Sequence, residues 1–292
     1  LKKILLPFLA FLVFGCSSVP EEIASEYYNI GNAYFDVGDY DKAIEYYTKA
    51  QSEGHPYINK IRFNLAVAYT ESGRVSQGLK LFESLLEQDP ENLILLQSKA
   101  YSLYLMGDDD GAVEIYDQIL NMFEYDATAL LNKAKIIRDV RIDESIKLLE
   151  KLYQIEQDSD TAVLLGELYR ENDQVVDFVR LYEEVILKEP ANSSVLLGLA
   201  QHFSEEQLYF KAVEYYNRIA DLKDYENLAE VLFRKAEIEL CELDESKTGY
   251  DTLVLALDAG FSDKQRIKDL SEREELSDNI QLIEYLRVRG FL

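Results

Sequence analysis

A pattern of small and apolar residues that returns about every 34 positions constrains this chain more than any other feature of it. The clearest copy is residues 27–50, YYNIGNAYFDVGDYDKAIEYYTKA. Tyr27, Ile30, Gly31 and Tyr34 stand at i, i+3, i+4 and i+7, one stripe of an amphipathic helix. Gly38 breaks that helix. Ala43, Tyr47 and Ala50 then carry the stripe of a second helix, with Asp41 placed to cap it. The spacing predicts a helical hairpin.

Two aligned series extend the hairpin along the chain. The small residue of the first helix recurs as Gly31, Ala66, Ala100, Ala134, Gly166, Ala200 and Ala236, in steps of 35, 34, 34, 32, 34 and 36. The large residue of the second helix follows in phase as Tyr47, Phe82, Tyr116, Leu149, Tyr182, Tyr216 and Leu253. Pro56, Pro90 and Pro190 fall at junctions between copies, where a helix has to end. The fourth copy has Ser145 where Ala is expected and a turn one residue short, and the seventh has Gly249 there with extra turn residues.

These residues resemble the tetratricopeptide repeat family, whose unit runs aromatic, Leu-Gly, Tyr, then Ala, Phe or Tyr, Ala and a closing Pro. The first copy matches closely. The second keeps Ala66, Tyr69, Gly73, Phe82 and Pro90, and the fifth keeps Leu165, Gly166, Tyr169, Tyr182 and Pro190. The resemblance implies an all-α, right-handed α-solenoid of about seven helical hairpins over residues 23–260. Residues 261–292 leave the register and carry two apolar patches, Ile267/Leu270 and Ile280/Ile283/Leu286, expected to form a C-terminal helical cap.

With 30 basic and 55 acidic residues the formal charge is −25, a field that repels nucleic acid and an anionic membrane surface alike. Membrane attachment therefore needs another device, and the N-terminus offers one. Lys2 and Lys3 precede an apolar run from Ile4 to Phe14, too short to span a bilayer but of the length of a secretory signal. Val13-Phe14-Gly15-Cys16 resembles a bacterial lipobox, although Phe14 replaces the usual small residue. The expectation is a lipoprotein signal peptide over 1–15, lipidated Cys16, a tether over 16–22, and attachment to the inner or outer membrane of a cell envelope, facing the periplasm. Ordinary cleavage or an uncleaved anchor are the alternatives.

Catalysis needs convergent groups, and the sequence is poor in them. It has two His, His55 and His202, each expected at a turn or helix surface, and no H-E-x-x-H, C-x-x-C, G-x-S-x-G or phosphate-cradling Gly loop. Asp108-Asp109-Asp110-Gly111 lacks the alternating ligands of a calcium loop, and Asp110 reads as a helix cap. No enzyme activity, metal or cofactor is expected. Cys241 reads as an inert core thiol, and most of the 21 tyrosines as core, with Tyr28, Tyr101 and Tyr104 outside the repeat's signature slots.

The function expected is a scaffold for protein–protein recognition, with the first helices lining a concave groove for a peptide or partner subunit. Envelope lipoproteins of similar build, by resemblance, serve transporters and assembly machines. Candidate groove residues are Asn29, Asn64, Ser98 and Asn132 at one slot of the first four copies, then Asn32, Tyr101 and Lys135 three residues on, with Tyr104 and Arg138 a turn further. Side-chain amides offer donor and acceptor to an extended backbone. The family's carboxylate clamp is matched only by Asn32 and Asn64, since Tyr28 and Ile94 stand where its lysines belong. An internal or extended segment is thus expected rather than a free C-terminal carboxylate, with Lys135, Arg138 and Lys60 the positive groups of this face. The alternative is a small-molecule or lipid carrier partnering a solute transporter, with Tyr101, Tyr104 and Leu105 facing a pore.

Overall fold

The computed structural model describes residues 18–52, 57–243, 245–276 and 279–292, and side chains from Glu22 onward. The expected signal peptide, Cys16 and His55 lie outside them. Every regular element among the described residues is helical. The chain forms two compact units, one ending at Ile155 and the other beginning at Glu156.

The first unit holds four hairpins: α1 (Ser18–Asp36) with α2 (Tyr40–Ser52), α3 (Ile58–Glu71) with α4 (Val75–Leu86), α5 (Leu93–Leu105) with α6 (Asp109–Met122), and α7 (Ala127–Ile137) with α8 (Ile142–Glu156). The second holds three, α9 (Ser159–Glu171) with α10 (Val175–Lys188), α11 (Ser193–Glu205) with α12 (Tyr209–Ala220), and α13 (Leu228–Cys241) with α14 (Ser246–Asp258), followed by α15 (Lys264–Ser271), a 3-10 turn (Glu274–Leu276) and α16 (Ile280–Val288). The predicted all-α solenoid of hairpins is the observed fold. One detail differs at the start: α1 begins at Ser18, so most of the expected tether is helix, with Pro20 in the first turn where a missing N–H is harmless.

The two series of the repeat meet in the core. Ala66, Ala100, Ala134, Ala200 and Ala236 are fully buried, and Tyr47, Phe82, Tyr116, Leu149, Tyr182, Tyr216 and Leu253 are no more than 3% exposed. Where the small residue is glycine the approach is closer. A Cβ on Gly166 would stand 2.1 Å from the Tyr182 ring, and one on Gly198 in the next copy would meet the opposite edge of that ring at 2.5 Å. Tyr182 is thus clasped between two glycines. Ser145 keeps the Ala slot of the fourth copy because its hydroxyl, fully buried, donates to the Ala134 carbonyl at 2.8 Å.

Helix starts correct two sequence expectations. Asp39, not Asp41, accepts the Lys42 N–H at 3.2 Å, and Asp108, not Asp110, accepts the Gly111 N–H at 3.0 Å. The reason lies in the turn. Gly38 and Gly107 adopt φ of 77° and 78°, reversing the chain so tightly that the next helix starts within two residues. A further periodic signal went unread: Asn92, Asp126, Asp158 and Asn192, in steps of 34, 32 and 34, each cap the first helix of a copy.

The last hairpin is covered by the C-terminal segment. Ile267 and Leu270 of α15, Leu276, and Leu282 and Leu286 of α16 join Phe233, Ala236, Leu253 and Ala256 in one buried cluster. The expected patch is corrected in one member. Ile280 is 76% exposed and Leu282 takes the inward place, because Asn279 caps α16 and sets its phase one step later. Cys241 borders the same cluster, and burial pushes its thiol up, consistent with an inert core residue.

Candidate protein-binding groove

In the first unit, α1, α2 and α3 enclose a cleft of about 440 Å³. Two of the expected groove residues, Asn32 and Asn64, line it, and they are hydrogen-bonded across copies. Asn64 Nδ2 donates to Asn32 Oδ1 at 3.2 Å and to the Tyr28 hydroxyl at 3.1 Å, while the Tyr47 hydroxyl donates to Asn32 Oδ1 at 2.8 Å. Burial pushes the Tyr47 hydroxyl up to about 12, with contact to Asn64 opposing, so that phenol stays neutral across the physiological range. Tyr28 therefore occupies, as a phenol in contact with Asn64, the place where a clamp would need a lysine. Lys60 sits over its ring at 5.5 Å. The apolar wall is Phe35, Phe63 and Val67, none of them among the groove residues expected from the sequence.

The motif returns two copies later. Burial pushes the Tyr116 hydroxyl of α6 up, a hydrogen bond with Asn132 of α7 partly offsets it, and Tyr101 of α5 lies close enough to act on its charge. Asn132 stands to Tyr116 as Asn64 stands to Tyr47. In the second and fourth copies the slot therefore also serves as an inter-repeat joint. Asn29 is exposed and does not line the cleft. Ser98 donates to its own helix at Ile94 O, 2.7 Å.

What α5 does present is apolar. Ile94, Tyr101, Tyr104 and Leu105 are 61, 43, 47 and 43% exposed, along one side of the helix at i, i+7, i+10 and i+11. Lys135 of α7 is exposed too, and Arg138 pairs with its neighbour Asp139 at 3.6 Å. His202, expected near a surface, is instead 5% exposed, its ring 5.2 Å from that of Phe178. The described residues contain no group of three or more His, Cys, Asp or Glu arranged to hold a metal ion. They contain no helix long and apolar enough to cross a membrane.

Comparisons with known proteins agree with this architecture. Family models for the tetratricopeptide repeat match residues 24–52 and 63–129. A Treponema pallidum protein named uncharacterized lipoprotein is 23% identical over 142 residues, 49% of this chain and 71% of that protein. The BBSome complex member BBS4 of Bos taurus is 21% identical over 184 residues, 62% of this chain but only 35% of that relative's length. Among solved structures, the C-terminal part of a TPR repeat-containing protein from Cytophaga hutchinsonii superposes with a TM-score of 0.66 at 15% identity, over 80% of this chain and 100% of that one. A tetratricopeptide repeat protein from Parabacteroides merdae gives 0.56 at 17% identity, over 85% and 97%. Both are likenesses of fold. Recurring hairpins, the small-and-aromatic core and the family models converge: residues 24–52 and 63–129 carry tetratricopeptide repeats in an all-α fold of that kind, and such repeats point to a protein–protein interaction scaffold.

Proposed function

We propose that this chain is a scaffold of a bacterial cell envelope, anchored through diacylated Cys16 and facing the periplasm, which holds an extended segment of a partner protein on the first helices of its first unit. The observation that carries the binding site is the run of exposed apolar side chains on α5, with Tyr101 and Tyr104 in the repeat slots that Asn32 and Phe35 of the cleft fill in α1. Aromatic rings there offer contact area with little rotamer entropy to lose, while the amides and the Lys135 ammonium supply polar contacts. The leader pattern supports the anchor, as does the treponemal relative named a lipoprotein.

Photo-crosslinking in intact cells tests the site. A crosslinking amino acid at Tyr101 or Tyr104 should give the same discrete adduct, and one at Glu114 on α6 should give none. No adduct at either tyrosine, or the same products at Glu114, overturns the site. Cys16→Ala with palmitate labelling tests the anchor separately: label that persists in the variant removes it. Two or three acyl chains, at about 0.8 kcal/mol per buried methylene, give lasting attachment.

A further inference from the structure

The first copy leaves open a slot that later copies bury. The residue just before the small one of each first helix is Ile30, Leu65, Lys99, Lys133, Leu165, Leu199 and Lys235. Of these, Leu65, Lys133, Leu165 and Leu199 are no more than 6% exposed. The second helix of the copy before reaches the slot: Glu83 of α4 meets Lys99 at 3.5 Å, and Asp117 of α6 meets Lys133 at 2.6 Å. Ile30 is 38% exposed, because among the described residues no helix stands before α1. A terminal unit that ends a solenoid in water carries a polar outer face, and α1 carries an apolar one.

That face is a regular seam. Ile23, Tyr27, Ile30, Tyr34 and Val37 follow one another at intervals of 4, 3, 4 and 3, the heptad pattern by which one helix packs on another. The seam runs along α1 and ends on Val37, one residue past the helix, with Ile23 37% and Val37 76% exposed. Tyr46 of α2 widens it, stacked on Tyr34 with ring centroids 5.5 Å apart. An α-helix with a matching seam is the shape that fits.

The seam is complementary to itself. Read in either direction it runs β-branched, tyrosine, isoleucine, tyrosine, β-branched, so two copies of α1 laid antiparallel about a two-fold axis at Ile30 set Ile23 of each against Val37 of the other. An interface with such an axis uses the same patch on both chains. The charges agree with that direction. Glu22 and Glu26 lie at the Tyr27 end, whereas Lys42 sits over the Tyr34 ring, 4.9 Å from its centroid, so the antiparallel pairing brings acid to base. A parallel pairing would set the glutamates of one copy against those of the other. We propose that this face joins two copies of the chain, α1 against α1, antiparallel. The proposal concerns a different face from α5 and does not depend on the lipid anchor.

Cysteine oxidation of the purified full chain tests it, with the unsubstituted protein as baseline because Cys16 and Cys241 are present. Ile30→Cys, on the axis, should give a disulfide-linked dimer in about fivefold or higher yield than Glu114→Cys on α6. Ile23→Cys and Val37→Cys, carried on chains tagged to differ in mass and then mixed, should link to each other about fivefold more than either links to itself. Adding Ile30→Glu to that pair, with helicity unchanged by circular dichroism, should lower the yield about tenfold or more, since it sets two carboxylates together in an apolar seam. No dimer from Ile30→Cys, the result if residues 1–17 or another protein cover the face, overturns the proposal. So does self-linking preferred at Ile23→Cys and Val37→Cys, or a yield that Ile30→Glu leaves unchanged. Adducts at Tyr101 and Tyr104 do not bear on these results, so failure here leaves the α5 site standing.

Discussion

Lys133 of α7 reaches back to Asp117 of α6, Nζ to Oδ1 2.6 Å, and forward to Glu144 of α8, tying three helices through one ammonium that is only 7% exposed. One copy earlier, Lys99 meets Glu83 in the same relation at 3.5 Å. Burial alone pushes Lys133 down, but the hydrogen bonds and charges of Asp117 and Glu144 outweigh it and hold the group above its ordinary value. The hydrogen bond from Lys133 lowers Glu144 in turn.

Lys133→Met should therefore lower stability by about 1–2 kcal/mol at neutral pH, less than for a fully buried pair because Asp117 and Glu144 stay half in water. The pH dependence has a definite sign. The raised Lys133 stabilises fully below its unfolded pKa near 10.5 and is lost as pH rises through its folded value. The lowered Glu144 stabilises above its unfolded pKa near 4.5 and is lost as pH falls through its folded value. The gap in Tm between variant and wild type should be widest between these limits and close beyond both. A gap independent of pH would show that packing rather than charge carries the effect.

The clasp on Tyr182 gives a packing test. Gly166→Ala or Gly198→Ala should destabilise by about 1–3 kcal/mol, since the new methyl meets a fully enclosed ring. Tyr182→Leu makes room, as Leu149 and Leu253 do in their copies, so Gly166→Ala should cost less in that background. Denaturant melts of the four-variant cycle measure the coupling, and strict additivity would contradict the clasp.

Gln207 has φ of 59° in the turn position that Gly38, Gly73 and Gly107 fill in the first three copies. A left-handed conformation costs a side-chain-bearing residue about 1–2 kcal/mol relative to glycine. Gln207→Gly should thus raise stability by up to about 1 kcal/mol after the added freedom of the unfolded chain is counted. A lower Tm would mean that the glutamine side chain makes a compensating contact.

The phase of α16 separates two isoleucine-or-leucine changes. Leu286→Ala, at a fully buried site, should cost about 2–4 kcal/mol, whereas Ile280→Ala, mostly exposed, should stay within about 0.5 kcal/mol. Equal losses would restore the patch that the sequence alone predicts.

At the groove, Asn64→Ala with Asn132→Ala should weaken a partner captured on the first unit about 5- to 150-fold, at 0.5–1.5 kcal/mol for each hydrogen bond removed, and should lower stability by a similar amount. Unchanged affinity with a lowered Tm would assign both amides to the inter-repeat joint alone.

The hairpins, their number and the small and large core slots of each copy were legible in the sequence because every copy buries the same slots against its neighbours. Periodicity is then the trace of a local packing rule repeated along the chain, and Ala100 or Tyr116 can be placed from it without coordinates. The candidate site was legible only in part. Asn32 and Asn64 could be assigned to one face, but that they bond to each other, to Tyr28 and to Tyr47 depends on how one copy docks on the next. The same holds for Lys133 with Asp117, for Gly198 against Tyr182, and for His202 against Phe178. Left-handed turns moved the caps from Asp41 and Asp110 to Asp39 and Asp108, and the start of α16 turned Ile280 outward. A linear pattern specifies which face of a helix is apolar. Which polar groups meet across two faces is set by helix phase and by distances of a few ångströms, and those exist only once the hairpins have stacked.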